Sequence, residues 1–253
     1  MPASRRRVFL AVIENGASEA DSALAALPVE IHAVPVSRLV RCADNGQLVE
    51  ISARVGEFDW VLLSSANAAT IFFDLVDVPL SGSPRIACVG PNTAACVRQL
   101  GYPVDFISSE HRGNAFAEEF ARAHGASPIS VLLPRPEKMG SQLVEKLTRA
   151  GVAVTQMILY RTEALPLESL PDLDLRASDL FAFLSPSGAR HFGRRYAIPK
   201  GAAVFAIGPT TAAALVELGC DHVRTADEFS RNGLLDAVRD FLDNESQPEE
   251  ETI

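Results

Sequence analysis

The chain has 253 residues, 47 % apolar and 22 % charged, the balance of an ordinary globular protein with one large or two small domains. Its net charge is −9 and no basic stripe runs along it, so nucleic acid and anionic membrane are excluded as main partners. No apolar run approaches the length of a bilayer span, and Arg5-Arg6-Arg7 leads into too short an apolar run for an export signal, so a cytoplasmic protein is expected.

Short apolar runs read as strands over 8–13, 30–34, 60–64, 85–89, 104–107, 130–133, 154–159, 180–184, 203–207 and 222–225. Helix-like stretches separate most of them, and those over 93–100, 142–150 and 211–218 stop at Gly101, Gly151 and Gly219. Glycine just past the last turn is the ordinary C-terminal stop, because it takes a left-handed conformation at no steric cost. Continuous apolar strands alternating with helices indicate the α/β class, with parallel sheets covered on both faces. The acidic stretch 243–251 reads as disordered, with a tail over 246–253. The four cysteines form no CxxC pair and no ligand-like group with the five histidines; inert thiols and no metal are expected.

The chain repeats itself. Residues 89–101 (VGPNTAACVRQLG) and 207–219 (IGPTTAAALVELG) share seven of thirteen positions at an offset of 118. Downstream, 111–120 falls on 229–238 with Phe116 over Leu234 and Phe120 over Val238. Upstream, LSSANA at 63–68 matches LSPSGA at 184–189 at an offset of 121, and 8–35 matches 131–158 at 123. The units run A (8–35), B (59–120), A′ (130–160) and B′ (180–241), and a short turn at 125–128 joins B directly to A′. That leaves A to pair with B′. The expected organisation is a discontinuous lobe one (1–36 plus 168–245) and a lobe two (42–160). They are joined through 37–41 and 161–167, near Pro35 and Pro166, which favour extended chain.

Gly90-Pro91 and Gly208-Pro209 each follow a strand and open a helix, where proline loses nothing because its N–H would be unpaired anyway. Thr93 and Thr211 then fall in the first turn beside exposed backbone N–H groups, a ready anion site at the carboxyl edge of a parallel sheet. One such motif is more simply a helix start; two matched copies favour ligand binding. Ser64-Ser65-Ala66-Asn67 and Ser185-Pro186-Ser187-Gly188 also open helices, and capping explains one serine of each pair, leaving the other to donate. Arg135, between Pro134 and Pro136, is either a bidentate grip for a carboxylate or a solvated surface residue. Tyr160 ends a strand; its un-ionised phenol either donates a proton to a leaving hydroxide or only packs. No triad, Walker sequence, GxGxxG or HExxH is present.

In this order, the strand ending in Ser64-Ser65, VGPNTAACVRQLG, VLLPRPEKMGSQLVEKLTRAG with VTQMILYRT, FLSPSGARHF and IGPTTAAALVELG resemble the uroporphyrinogen-III synthase family over most of residues 8–241. The resemblance implies two flavodoxin-like domains linked by a two-stranded ladder, with an active site in the cleft between them and no cofactor. It implies a lyase of tetrapyrrole and heme biosynthesis. Its substrate would be the linear tetrapyrrole hydroxymethylbilane, which bears acetate and propionate arms. The terminal hydroxyl is lost, the last ring inverts through a spiro intermediate and the macrocycle closes. Many carboxylates need many donors, and an acidic protein must offer them as neutral N–H and O–H groups. The resemblance gives Tyr160 the role of proton donor, Thr93 and Thr211 that of the GPxT threonines, and Ser64, Ser65, Ser185 and Ser187 that of cleft-facing loops. Asn67, Gly90, Arg135 and Gly208 complete the expected substrate-binding set. Transient contact with hydroxymethylbilane synthase is implied, and a two-lobed clamp that must move is expected to be a monomer. One departure stands out: AVIENG lacks the family's arginine–proline pair and sets Val12 opposite Arg135, so one anion contact in lobe one is expected to be lost. A binding or regulatory module of the same fold, sensing an anionic metabolite without turnover, is the alternative the residues leave open.

Overall fold

The structure, a computed structural model, describes residues 5–14, 28–42, 46–78, 84–109, 113–124 and 128–246. The described strands are β1 (Arg6–Ile13), β2 (Val29–Arg41), β3 (Trp60–Leu63), β4 (Arg85–Cys88), β5 (Phe106–Ile107), β6 (Ile129–Pro136), β7 (Val152–Ala164), β8 (Leu180–Phe183), β9 (Ala203–Ala206) and β10 (Val223–Thr225). The α-helices are α1 (Gly46–Ala53), α2 (Ala66–Leu75), α3 (Pro91–Gln99), α4 (Gly113–His124), α5 (Gln142–Arg149), α6 (Pro186–Gly193), α7 (Pro209–Glu217) and α8 (Arg231–Ser246). The helix expected after the first strand, most of the 125–128 turn and the start of the 111–120 repeat lie outside the described residues.

Two compact units divide the chain, Met1–Leu39 with Thr162–Ile253 (unit 1) and Val40–Arg161 (unit 2). The chain leaves unit 1 inside β2 and returns inside β7. Residues 37–41 and 161–164, read from sequence as linker, are therefore strand, and the strands expected to end at 34 and 159 run on. Burial explains the extension: Val34, Val36 and Ser37 in β2, and Leu159 and Tyr160 in β7, are all buried.

In unit 1 the strands lie in the order β2-β1-β8-β9-β10, all parallel. Successive side chains of β1 point to opposite faces. Val8, Leu10 and Val12 pack with Leu234, Leu235 and Val238 of α8, while Phe9 and Ala11 pack with Ala189 and Phe192 of α6 and Ala214 and Leu215 of α7. In unit 2 the order is β7-β6-β3-β4-β5, again all parallel. One face buries Trp60, Leu62, Val131 and Leu133 against Phe116 and Phe120 of α4 and Leu143 and Leu147 of α5. Burying each such side chain contributes roughly 1.5–3 kcal/mol, which is why apolar runs alternate with helices.

Gly101, Gly151 and Gly219 close their helices with φ of 90°, 83° and 86°, where a Cβ would be strained. At the other end of the chain one expectation is corrected. Asp243–Ser246 is not tail but the last turn of α8, because Phe241 and Leu242 pack onto the unit 1 core and Glu245 pairs with Arg6. Residues 247–253 lie outside the described residues.

Gly233 marks the tightest backbone contact. Ser230 Oγ accepts from its N–H at 3.0 Å, and a Cβ on Gly233 would lie 2.2 Å from the Glu228 carbonyl oxygen. Gly233→Ala should therefore cost about 2 kcal/mol by overpacking against backbone that cannot swing aside. A lowered urea midpoint at unchanged m-value is the expected reading; an unaltered midpoint would contradict this packing.

Candidate functional site

In each unit, strand connections diverge to opposite sides at one gap: between β1 and β8 in unit 1, and between β6 and β3 in unit 2. Such switch points, at the carboxyl ends of the strands, are where open α/β sheets take ligands. A serine-led helix starts at each. Ser65 Oγ accepts from Ala68 N at 3.2 Å to cap α2, and Ser185 Oγ accepts from Gly188 N at 3.0 Å to cap α6. Both serines hold extended backbone, the usual N-cap conformation.

The neighbouring helices open differently. α3 begins on Gly90 and α7 on Gly208, each with proline at the first helical position, and no side chain of the described residues caps either. Glycine brings no capping oxygen; in α7 Thr211 N turns back to Gly208 O at 3.1 Å, and the remaining first-turn N–H groups are left to other acceptors. Val89 N donates to Leu63 O (3.1 Å) and Ile207 N to Phe183 O (3.0 Å), setting each glycine-led start beside a serine-led one in its own unit. Thr93 and Thr211 occupy the first turns as the repeat predicts, but both side chains are buried, at 6 % and 1 % exposure. Gly208 is also buried: a Cβ there would meet the Phe229 ring at 3.4 Å.

A β-bulge after Arg135 pairs Pro136 with Tyr160 and turns the phenol into unit 2. Tyr160 is 5 % exposed and its hydroxyl is hydrogen-bonded to Ser65. Burial pushes the phenol above its ordinary range, with the Ser65 bond acting weakly the other way, so it stays protonated at neutral pH. Unit 1 carries the matching bulge after Val12, which pairs Ile13 with Ser37. The 123-residue offset thus sets Ser37 in the place of Tyr160, and Ser37 Oγ, 2 % exposed, lies 2.8 Å from His191 Nδ1 on α6. Sequence reading passed over Ser37 and His191; carrying the offset from Tyr160 back to residue 37 would have found the first.

The serine loops needed correction. β3 and β8, and the capping residues after them, match at an offset of 120 rather than 121, so Ser65 corresponds to Ser185 and Asn67 to Ser187. Ser64, half-buried, then has Leu184 as its counterpart. Ser187 Oγ lies 3.2 Å from Ser185 Oγ, and Asn67 is exposed on the first turn of α2. Arg135 spends one bond from each guanidinium nitrogen inside unit 2: Nε to Pro136 O at 2.9 Å, Nη1 to Gln156 Oε1 at 2.5 Å and Nη2 to Glu137 O at 2.8 Å. It braces the end of β6 against β7. The thiol of Cys88 is pushed up to about 12 by burial and stays protonated. Among the described residues no group of His, Cys, Asp and Glu could hold a metal ion, and no helix is long and apolar enough to cross a membrane.

Residues 18–236 match the family model described as uroporphyrinogen-III synthase HemD. The chain belongs to the uroporphyrinogen-III synthase family. It is similar to the uroporphyrinogen-III synthase of Synechococcus elongatus, 27 % identical over 215 residues that cover 77 % of this chain and 79 % of that one. It is also similar to the chloroplastic uroporphyrinogen-III synthase of rice, 25 % identical over 229 residues covering 86 % and 74 %. The crystal structure of the Helicobacter pylori uroporphyrinogen-III synthetase shares the fold with a TM-score of 0.61 at 17 % identity, over 93 % of this chain and 99 % of that one.

Within this family member, Ser65 has two tasks, the cap of α2 and the bond to Tyr160. Ser65→Ala should lower stability by about 1 kcal/mol. It should also raise the Tyr160 phenol further, because the lost bond favours the ionised form. Ultraviolet difference absorbance against pH reads the second effect, and an unmoved titration would separate Ser65 from Tyr160. The folded phenol ionises later than the unfolded one, so ionisation favours the unfolded chain above about pH 10. Wild type should therefore lose stability there faster than Tyr160→Phe.

Proposed function

We propose that this chain is a uroporphyrinogen-III synthase, a lyase that converts hydroxymethylbilane to the type III macrocycle with loss of water and inversion of the terminal ring. The reading rests on family membership together with one observation, the protonated Tyr160 phenol held on Ser65 at the switch point of unit 2. Each unit has the 2-1-3-4-5 strand order of a flavodoxin-like domain, unit 2 as a circular permutation of unit 1, which supports an origin by duplication.

The chemistry asks little of the protein beyond geometry and one proton. The terminal pyrrole's nitrogen lone pair expels the hydroxyl, which takes a proton from the Tyr160–Ser65 pair and leaves as water. The methylene carbon then bonds to the substituted carbon of the last ring, giving the spiro intermediate. The bond from this spiro carbon to the neighbouring ring's bridging methylene then breaks, that methylene bonds instead to the last ring's other α-carbon and so closes the inverted macrocycle, and the proton this carbon sheds on restoring the pyrrole returns to the pair. Ser65, half-buried where Tyr160 is buried, is the member that meets the substrate. The carboxylate arms are taken by uncapped first-turn N–H groups after Gly90 and Gly208, at the exposed Asn92 and Thr210, with Ser64, Asn67, Ser185 and Ser187 as neutral hydroxyl and amide donors. Buried Thr93 and Thr211 hold those first turns in place rather than gripping the arms themselves. Arg135 is turned toward unit 2, where three of its five N–H donors hold Pro136 O, Gln156 Oε1 and Glu137 O, so it serves first as a brace of β6 and only secondarily as a carboxylate grip.

Purified protein given hydroxymethylbilane should yield chiefly the type III isomer. Product that is all type I would overturn the assignment and favour the non-catalytic module. Tyr160→Phe should lower kcat by about 10²-fold, the size expected for a lost proton donor, with little change in KM. An unaltered kcat would remove Tyr160 from the chemistry.

A further inference from the structure

Unit 1 also holds a cavity of about 470 Å³ at the opposite edge of its sheet, where β9 and β10 begin. Its walls are the segment after α6, the turn after α7 and the last turns of α8. The volume lies within the range of small-molecule sites, which pair apolar walls with a few convergent polar groups. The apolar wall here includes Ile198, Phe241 and Leu218, the last 41 % exposed although apolar.

The charges are what set this cavity apart. Lys200 lines it from the connection before β9, His222 from the end of the connection after α7 and Arg224 from β10 itself, and among the described residues none of them is in an ion pair. Elsewhere in the described residues eleven lysines and arginines have carboxylate partners, Arg7 with Asp179 and Arg195 with Asp172 among them. Two carboxylates also line the cavity, but Glu245 is taken by Arg6, which leaves Asp221 against Lys200 and Arg224. Arg224 is pre-oriented: its guanidinium carbon stands 4.5 Å over the Phe241 ring, whose far neighbour Arg6 lies at 5.6 Å. A guanidinium held by its face keeps its N–H edge for an acceptor, and that edge matches a carboxylate.

We propose that this cavity binds a small organic carboxylate with an apolar ring, its carboxylate on Arg224 and Lys200 and its body against Ile198 and Leu218. The site goes beyond the synthase activity and does not depend on it, since it lies at the strand starts and the helix-opening donors lie at the strand ends.

Calorimetric titration of the full chain with 2-naphthoate, 2-naphthylmethanol and inorganic phosphate tests each part. Naphthoate should bind saturably at one per chain. The alcohol, which lacks the charge, and phosphate, which lacks the ring, should each bind about tenfold more weakly or worse. Arg224→Gln combined with Lys200→Gln should weaken naphthoate by more than about tenfold, and Arg224→Lys by less, because charge without the fork remains. Both side chains are exposed, so these variants should keep the wild-type melting temperature. Absence of saturable naphthoate binding, or binding indifferent to the double variant, would overturn the proposal. So would an alcohol or phosphate that binds as tightly. The isomer assay reads the synthase activity separately, so either result can fail without the other.

Discussion

A helix that starts at the end of a parallel strand begins with N–H groups that its own turns cannot satisfy, and this chain meets that constraint in two ways. Ser65 and Ser185 satisfy one such group with their own hydroxyls. Gly90 and Gly208 bring no side chain, and the proline after each removes one donor without supplying an acceptor. The result in each unit is a closed helix start next to an open one, set side by side by the parallel pairing of the strands that lead into them. For a substrate rich in carboxylates, open N–H groups are donors that carry no net charge, which suits a chain at −9.

The same arrangement occurs in both units, and the two differ at one informative place. The bulge that turns Tyr160 inward in unit 2 turns Ser37 inward in unit 1. A phenol reaches as far as the cap of its helix; a serine does not, and His191, six residues beyond the Ser185 cap, meets the hydroxyl instead. The two units therefore offer different hydrogen-bonding groups, a phenol and a serine hydroxyl, from one backbone frame. The asymmetry fits a reaction in which only one carbon–oxygen bond is broken.

The strands were legible in the sequence because parallel strands buried on both faces are written as apolar runs, and each predicted run lies on an observed strand. Their ends were less so: Pro35 and Pro166 read as the sites of linkers, whereas β2 and β7 run on to Arg41 and Ala164 with Val36, Ser37, Leu159 and Tyr160 buried. The one-residue slip between the serine loops came from matching Leu63 with Leu184; which serine caps is decided by its bond to the third residue on, which letters do not record. First-turn positions for Thr93 and Thr211 followed from the proline at N1, but which side of the turn faces the core depends on packing. The bond between Ser37 and His191 joins residues 154 apart in the chain and left no local pattern.

The central claim, that the open and capped helix starts of both units are the substrate's donors, is met most directly by amide hydrogen exchange with and without an unreactive bilane analogue lacking the terminal hydroxyl. Slowed exchange is predicted at residues 65–68 and 90–94 of unit 2 and at 185–188 and 208–212 of unit 1. Protection confined to one unit, or falling only on the strand-start edges, would contradict it.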